Sequence, residues 1–93
     1  MTTTAPVDLR FRRASGVLWQ HTICGVILLL PSGAPIELNV TGAAVWDEIG
    51  EARDLTTIAA TLASRFQAAV AEIGHDVGEI LHHLVELGAV EQQ

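Results

Sequence analysis

Apolar positions along this chain change period once. Residues 16–39 follow the two-residue alternation of strands, and from there onward the spacing is that of helices. Residues 16–22 (GVLWQHT) are rich in β-formers, with Val17, Trp19 and His21 alternating against Leu18, Gln20 and Thr22. Residues 24–30 (CGVILLL) form a short unbroken apolar run of strand length, which predicts a strand covered on both faces or central to a small sheet. The run stops at residues 31–35 (PSGAP), where proline pre-sets φ and Gly33 can supply a positive one. Residues 36–39 (IELN) resume the alternation, with Ile36 and Leu38 on one face and Glu37 and Asn39 on the other. Together these segments predict a three-stranded antiparallel meander.

Three helices should follow. Asn39 or Thr41 can cap a first one through residues 43–49, whose Val45, Trp46 and Ile49 fall on one side before Gly50 ends it. Asp54 can cap a second, with Leu55, Ile58, Ala59, Leu62 and Phe66 forming an amphipathic stripe. Residues 67–74 fit a continued helix, a loop or a turn. A third helix from about His75 carries Val77, Ile80, Leu81, Leu84, Val85 and Leu87, and Gly88 is placed to end it in the left-handed conformation. The fold class expected is α+β: a three-stranded antiparallel sheet followed by three helices, resembling a winged helix-turn-helix.

The 93 residues allow one small domain. With 49% hydrophobic and 17% charged residues, the chain is too apolar to be intrinsically disordered. Charge divides it unevenly: residues 1–13 carry three Arg and one Asp, a net +2, while residues 14–93 carry a net −8, giving −6 overall. The expected organisation is a mobile segment over residues 1–13 and a peptide-binding domain over 14–93. An acidic body lacks the basic stripe that releases counterions from phosphates, so nucleic acid is not an expected partner. Nor is a membrane, because the longest aliphatic run, residues 26–30, is far short of the ~20 residues that span a bilayer. Cys24 is the only cysteine, which excludes an intramolecular disulfide and fits a reducing compartment, so the cytoplasm is the expected location.

No catalytic constellation stands out. The serines lack a glycine-elbow context, and the glycines do not cluster as a phosphate cradle. His75, His82 and His83 lie near Glu79 on the third helix, but a single Glu-x-x-His pair supplies only half of a di-iron motif. At 100° per residue, His75, Glu79, His82 and Glu86 share the arc opposite Val77 and Leu84, so a solvated face accounts for them. No metal, no cofactor and no enzymatic activity are expected. Trp46 should anchor the core, while the face taken by Trp19 is open.

The third helix is more informative, because Asp76 and His83 stand beside Ile80 and Leu87 at the border of its apolar arc. Packed across the last strand of the meander, it would form a groove with an apolar floor and an acidic lip. An edge strand there would offer unpaired N–H and C=O groups, only partly blunted by Pro31, Pro35 and Glu37. An exposed short strand and a docking edge for an extended peptide are both consistent with this pattern.

These same residues carry a family resemblance. Residues 26–46 (VILLLPSGAPIELNVTGAAVW) resemble the PqqD family pattern of an aliphatic strand, a Pro/Gly turn, a Leu-Asn pair and a small-residue helix start with Val-Trp. Residues 54–58 (DLTTI) resemble the start of that family's middle helix, and residues 76–90 (DVGEILHHLVELGAV) its closing helix. The resemblance covers roughly residues 16–91. It implies a RiPP recognition element, a non-catalytic domain that binds the leader region of a ribosomally made precursor peptide as an added β-strand. In this chain the peptide-binding residues it implies are Ile36, Glu37 and Leu38 on the strand, with Asp76, Val77, Ile80, His83 and Leu84 on the helix. It also implies a separate processing enzyme as partner. A leader peptidase of a lasso-peptide pathway is favoured, because a Lys-free, Ala-rich chain suits a high-GC bacterium. The alternative is a radical enzyme in quinone or mycofactocin-like cofactor biosynthesis. A DNA-binding winged-helix regulator is the competing class, and the acidic third helix argues against it. The expected state is a monomer or weak dimer.

Overall fold

A computed structural model describes residues 9–92 and shows an α+β fold of two small antiparallel sheets and three helices. The meander is present. Strands β2 (Leu18–Thr22), β3 (Gly25–Leu29) and β4 (Pro35–Leu38) form a sheet in that order, with β3 central. In chain order β1 (Arg10–Arg13) precedes them, and α1 (Val40–Glu48), β5 (Arg53–Asp54), α2 (Leu55–Phe66), α3 (Val70–Glu86) and β6 (Val90–Gln92) follow.

The second sheet, ordered β5-β1-β6, is absent from the expectation. The expected mobile segment over residues 1–13 is therefore corrected at its C-terminal end. Phe11 is buried in the core, and β1 pairs with both β5 and β6, so the folded part includes residues 10–13. Residues 1–8 and residue 93 lie outside the described residues. The correction has a simple cause: Phe11 points inward while Arg10 and Arg12 point out, and Arg12 Nη2 meets Glu91 Oε1 across the strands at 2.8 Å. One buried residue in four gives too short a period to see.

Turn chemistry fixes the register of the meander. Thr22 and Gly25 face one another across the two residues Ile23 and Cys24. At the other end the Leu30 N–H donates to the Ala34 carbonyl (3.1 Å) and the Gly33 N–H donates to the Leu30 carbonyl (2.8 Å), with Gly33 at φ +90°. Val26 and Leu28 point into the core, while Ile27 and Leu29 point out and are about 40% exposed. The apolar run is therefore central in its sheet but covered on one face only.

The helix starts follow local chemistry. Asn39, rather than Thr41, caps α1: its side-chain oxygen accepts from the Gly42 N–H at 2.9 Å. Asp54 caps α2 by accepting from the Thr57 N–H at 2.7 Å, and hydrogen bonding from Thr57 holds its carboxyl below the usual carboxylate range. The ambiguous segment resolves into a turn and a longer helix. Gln67 takes a left-handed conformation, the Ala68 N–H returns to the Ala63 carbonyl, and α3 begins at Val70, before the expected His75. Gly88 ends the helical region at φ +82°, and the Ala89 N–H folds back to the Leu84 carbonyl before β6.

Trp46 is fully buried and lies where the two sheets meet the helices. The Arg13 guanidinium donates from Nε (3.1 Å) and Nη2 (2.9 Å) to the Trp46 carbonyl, and sits 4.6 Å from the Trp19 ring and 4.8 Å from the Trp46 ring. Trp19 thus faces the core side, edge-on to Trp46 at 6.4 Å. Burial lowers the Arg13 pKa, and Asp47 nearby opposes that shift. The Trp46 indole N–H has no acceptor among the described residues, so packing and the backbone carbonyl hold this anchor.

Gly25 is where the meander is least forgiving. It sits at φ +156°, and a Cβ there would lie 1.8 Å from the Leu38 carbonyl oxygen. Gly25→Ala must displace the end of β4, and should cost more than the ~1 kcal/mol of an ordinary backbone mismatch. A lowered thermal midpoint in calorimetry is expected, and an unchanged one would refute this close approach.

Candidate functional site

Edge strands are where this fold leaves backbone groups free. The Leu30-to-Ala34 bond makes those residues a hydrogen-bonded pair, and antiparallel pairs alternate. The pairs Leu28–Ile36 and Val26–Leu38 are then also hydrogen-bonded, while Ile27–Glu37 is not. The Glu37 N–H and C=O therefore point away from β3, to the open edge. Pro35 shares that edge but has no N–H to offer. No strand pairs with this edge among the described residues.

Beside that edge lies a groove of about 180 Å³ lined by Glu37, Leu38, Asn39, Gly42, Ile80, His83 and Leu84. Its floor is apolar, from Leu38, Ile80 and Leu84, and its rim is polar. Gly42 keeps the groove open, because a Cβ there would crowd the Leu38 Cβ at 3.2 Å. A second recess of about 310 Å³ continues it, lined by Asn39, Thr41, Asp76, Glu79 and Ile80. A third, of about 430 Å³, abuts the same strand at the β2–β3 turn and shares Glu37 and Leu38. It is formed by Ile23, Cys24 and their neighbours at a hairpin tip, whereas the 180 Å³ groove runs between a strand edge and a helix.

Of the eight residues expected here, the structure brings Glu37, Leu38, Ile80, His83 and Leu84 to the groove and Asp76 to the recess beside it. Ile36 is half-buried and packs on the core. Val77 is wholly buried, as Leu84 nearly is, so Val77 supports the floor from below without lining it. Asn39, Thr41, Gly42 and Glu79 were missed as lining residues. Asn39 and Gly42 carried a visible signal, since a helix cap directly after an edge strand must sit at the groove's end.

His75 and His82 stand on the exposed side of α3, away from the groove that His83 lines. His75 pairs with Glu79 (2.5 Å) and His82 with Glu86 (3.5 Å), both one helical turn apart. His21 instead contacts Asp47 at 3.0 Å on the opposite side of the meander. Among the described residues no group of three His, Cys, Asp or Glu side chains is placed to hold a metal ion, and no helix is long and apolar enough to cross a membrane.

Comparison with known proteins agrees with this architecture. The family model "Coenzyme PQQ synthesis protein D (PqqD)" matches residues 24–90. None of the curated proteins compared matches the chain. Among solved structures, the solution structure of the PqqD truncation of Methylobacterium extorquens PqqCD is 23% identical with a TM-score of 0.76, covering 88% of both chains. That protein is described as a functional, stand-alone RiPP recognition element. TbiB1 in complex with the TbiA(beta) leader peptide is 20% identical with a TM-score of 0.78, covering 86% of this chain and 94% of that one. A lasso peptide synthetase B1 complexed with its leader peptide is 23% identical with a TM-score of 0.76, covering 87% and 96%. At these identities the likeness shows the fold.

The two layers of the groove should separate by mutation. Leu84→Ala removes a buried side chain and should destabilise by about 2–5 kcal/mol. Ile80 is only partly buried, so Ile80→Ala should cost clearly less. Urea unfolding checks the order, and equal losses would mean that Ile80 is core and not groove.

Proposed function

Because the chain belongs to the PqqD family, we propose that it is a non-catalytic adaptor. In this proposal it binds the leader region of a ribosomally synthesised precursor peptide in the groove between β4 and α3, and presents it to a separate processing enzyme. The observation that carries this reading is the outward Glu37 N–H and C=O beside an apolar groove. A peptide laid along β4 would satisfy both groups and gain register from them, at ~0.5–1.5 kcal/mol per bond. Alternate side chains of the added strand would turn toward the helix, where Leu38, Ile80 and Leu84 receive an apolar anchor. A residue two positions along, ~7 Å away, would come over Asp76 and Glu79, which suit Lys or Arg. Val77 and Ile36 contribute from beneath, by holding the floor and the strand in place.

The adaptor does no chemistry in this proposal. Holding substrate and enzyme together raises their effective concentration, and that is sufficient benefit. A separate leader peptidase, as in lasso-peptide biosynthesis, is the favoured enzyme; a radical enzyme of quinone or mycofactocin-like biosynthesis would use the same groove. The cytoplasm, where precursor peptides are made, is the location this role requires. A DNA-binding regulator finds no support in α3, which exposes Glu72, Asp76, Glu79 and Glu86 and carries no Arg or Lys. Such a helix would be repelled by phosphates.

Three substitutions test the groove. Asp76→Arg reverses the local field with little loss of packing. Glu37→Pro removes an N–H that faces the open edge and leaves the β3–β4 ladder intact. Both should weaken leader affinity by roughly tenfold in calorimetric titration, the loss of one charge-assisted contact or one well-made bond. Glu72→Arg, on the first turn of α3 outside the groove, should not. Unchanged affinity in folded Asp76→Arg and Glu37→Pro proteins would place binding on another surface.

Charge should act mainly on the encounter. With −8 on residues 14–93, a leader carrying Lys or Arg should associate faster at low salt than at physiological ionic strength. Stopped-flow mixing across salt concentrations checks this, and a flat rate would remove steering from the account.

A further inference from the structure

The meander has a second open edge, and its backbone pattern differs from that of β4. Thr22 and Gly25 flank a two-residue turn, so they form a hydrogen-bonded pair, as do Gln20–Ile27 and Leu18–Leu29. The alternation deduced from the β4 side gives the same assignment. On β2, therefore, it is Trp19 and His21 whose N–H and C=O groups face away from the sheet. No hydrogen bond to these four groups is present among the described residues. The strand carries no Lys, Arg, Asp, Glu or Pro, the devices that usually block an edge.

We infer that β2 is a self-association edge, where a second copy of this chain pairs antiparallel about Gln20 to give a weak two-fold dimer with a six-stranded sheet. The register is self-complementary. With Gln20 opposite Gln20 of the second copy, Trp19 faces His21 and His21 faces Trp19, so all four outward groups meet their complements. No side chain of the strand opposes a like charge, which matters in a chain of net charge −6. The β4 edge cannot pair with itself in this way. Only Glu37 presents both groups there, so a symmetric pair either sets two carboxylates face to face or places Glu37 opposite Pro35, which lacks an N–H, with fewer bonds than the β2 pair. A second copy is thus the occupant that β2 fits and β4 disfavours, and both β4 grooves remain free at the outer ends of the dimer.

An interface of one five-residue strand per copy falls below the ~1,200 Å² of stable complexes. Half-association between about 10 μM and 1 mM is expected. Gln20 lies on the exposed face of the strand, at the two-fold axis, which allows a charge-swap test by sedimentation velocity. Gln20→Lys and Gln20→Glu should each weaken association by about fivefold or more, because like charges then stand directly opposite. An equimolar mixture of the two should restore it. Amide exchange of Trp19 and His21 should slow with concentration in the unsubstituted protein and not in either variant, while the leader affinity of both variants stays unchanged. A protein that remains monomeric up to 1 mM, variants that associate like the parent, or a mixture that fails to recover would each overturn the inference. So would edge amides protected only on addition of a processing enzyme, which would make β2 a contact for that protein.

Discussion

Everything in this small domain is arranged about the burial of Trp46. A chain of 93 residues with two tryptophans has few large side chains, and this indole, fully buried, lies against Trp19 of one sheet and Arg13 of the other. Arg13 makes the connection: from β1 it caps the Trp46 carbonyl with two hydrogen bonds and lies against the rings of Trp46 and of Trp19 on β2. A partly buried guanidinium would be costly if left unpaired, but here its polar edge is hydrogen-bonded and its faces meet aromatic surface. Asp47 at 4.0 Å balances the charge and also holds His21 of the same strand. The meander is thereby fastened to the rest of the molecule along its β2 side. Its other side, β4, is left against α1 with the groove open toward α3.

That asymmetry explains why the groove exists. Helix α1 runs immediately out of β4 through the Asn39 cap, and its residues Gly42, Ala43 and Ala44 are small and buried. They let the backbone of α1 lie close beneath the strand end, where a Cβ on Gly42 would meet the Leu38 Cβ at 3.2 Å, and the groove opens between that strand and α3. The groove floor is consequently not a separate surface. Leu84 and Val77 belong to the core cluster, and Ile80 packs on its margin. A peptide held there would complete the core at the one place where the helices cannot.

The meander, the α2 stripe and the Asp54 cap were legible in the sequence, and the α1 cap was narrowed to Asn39 or Thr41, because each rests on a local rule: a two-residue period, a 3.6-residue period, or a side chain that accepts from a nearby N–H. The second sheet was not. Its strands have four, two and three residues, and their only apolar contributions are Phe11 and Val90. Such segments become strands through pairing at long sequence separation, Arg12 with Glu91 for example, which leaves no periodic trace. The start of α3 was misplaced for a related reason: Gln67 adopts a left-handed conformation without being glycine, and the turn it makes resembles helix in composition. At the site, residue type picked out Ile80 and His83, which line the groove, and Asp76, which lines the recess beside it, but could not separate lining from support. Val77 and Leu84 are as apolar as Ile80, and only packing distinguishes them.

A three-stranded sheet cannot avoid having two edges, and the composition of each decides what it can accept. Glu37 and Pro35 make β4 a poor match for a copy of itself, yet leave one N–H and two C=O groups for a different strand whose charge is complementary. The β2 edge has the opposite character, with two residues of unpaired backbone, aromatic side chains and no charge. If both edges resembled β2, two copies could add at both ends of the sheet and grow into an open chain of sheets. If both resembled β4, symmetric association through this sheet would be disfavoured. With one of each, the proposed association would close at two copies and leave the groove edge free for the proposed peptide. Glu37 would then serve twice from one position, disfavouring self-pairing at β4 and favouring a basic partner.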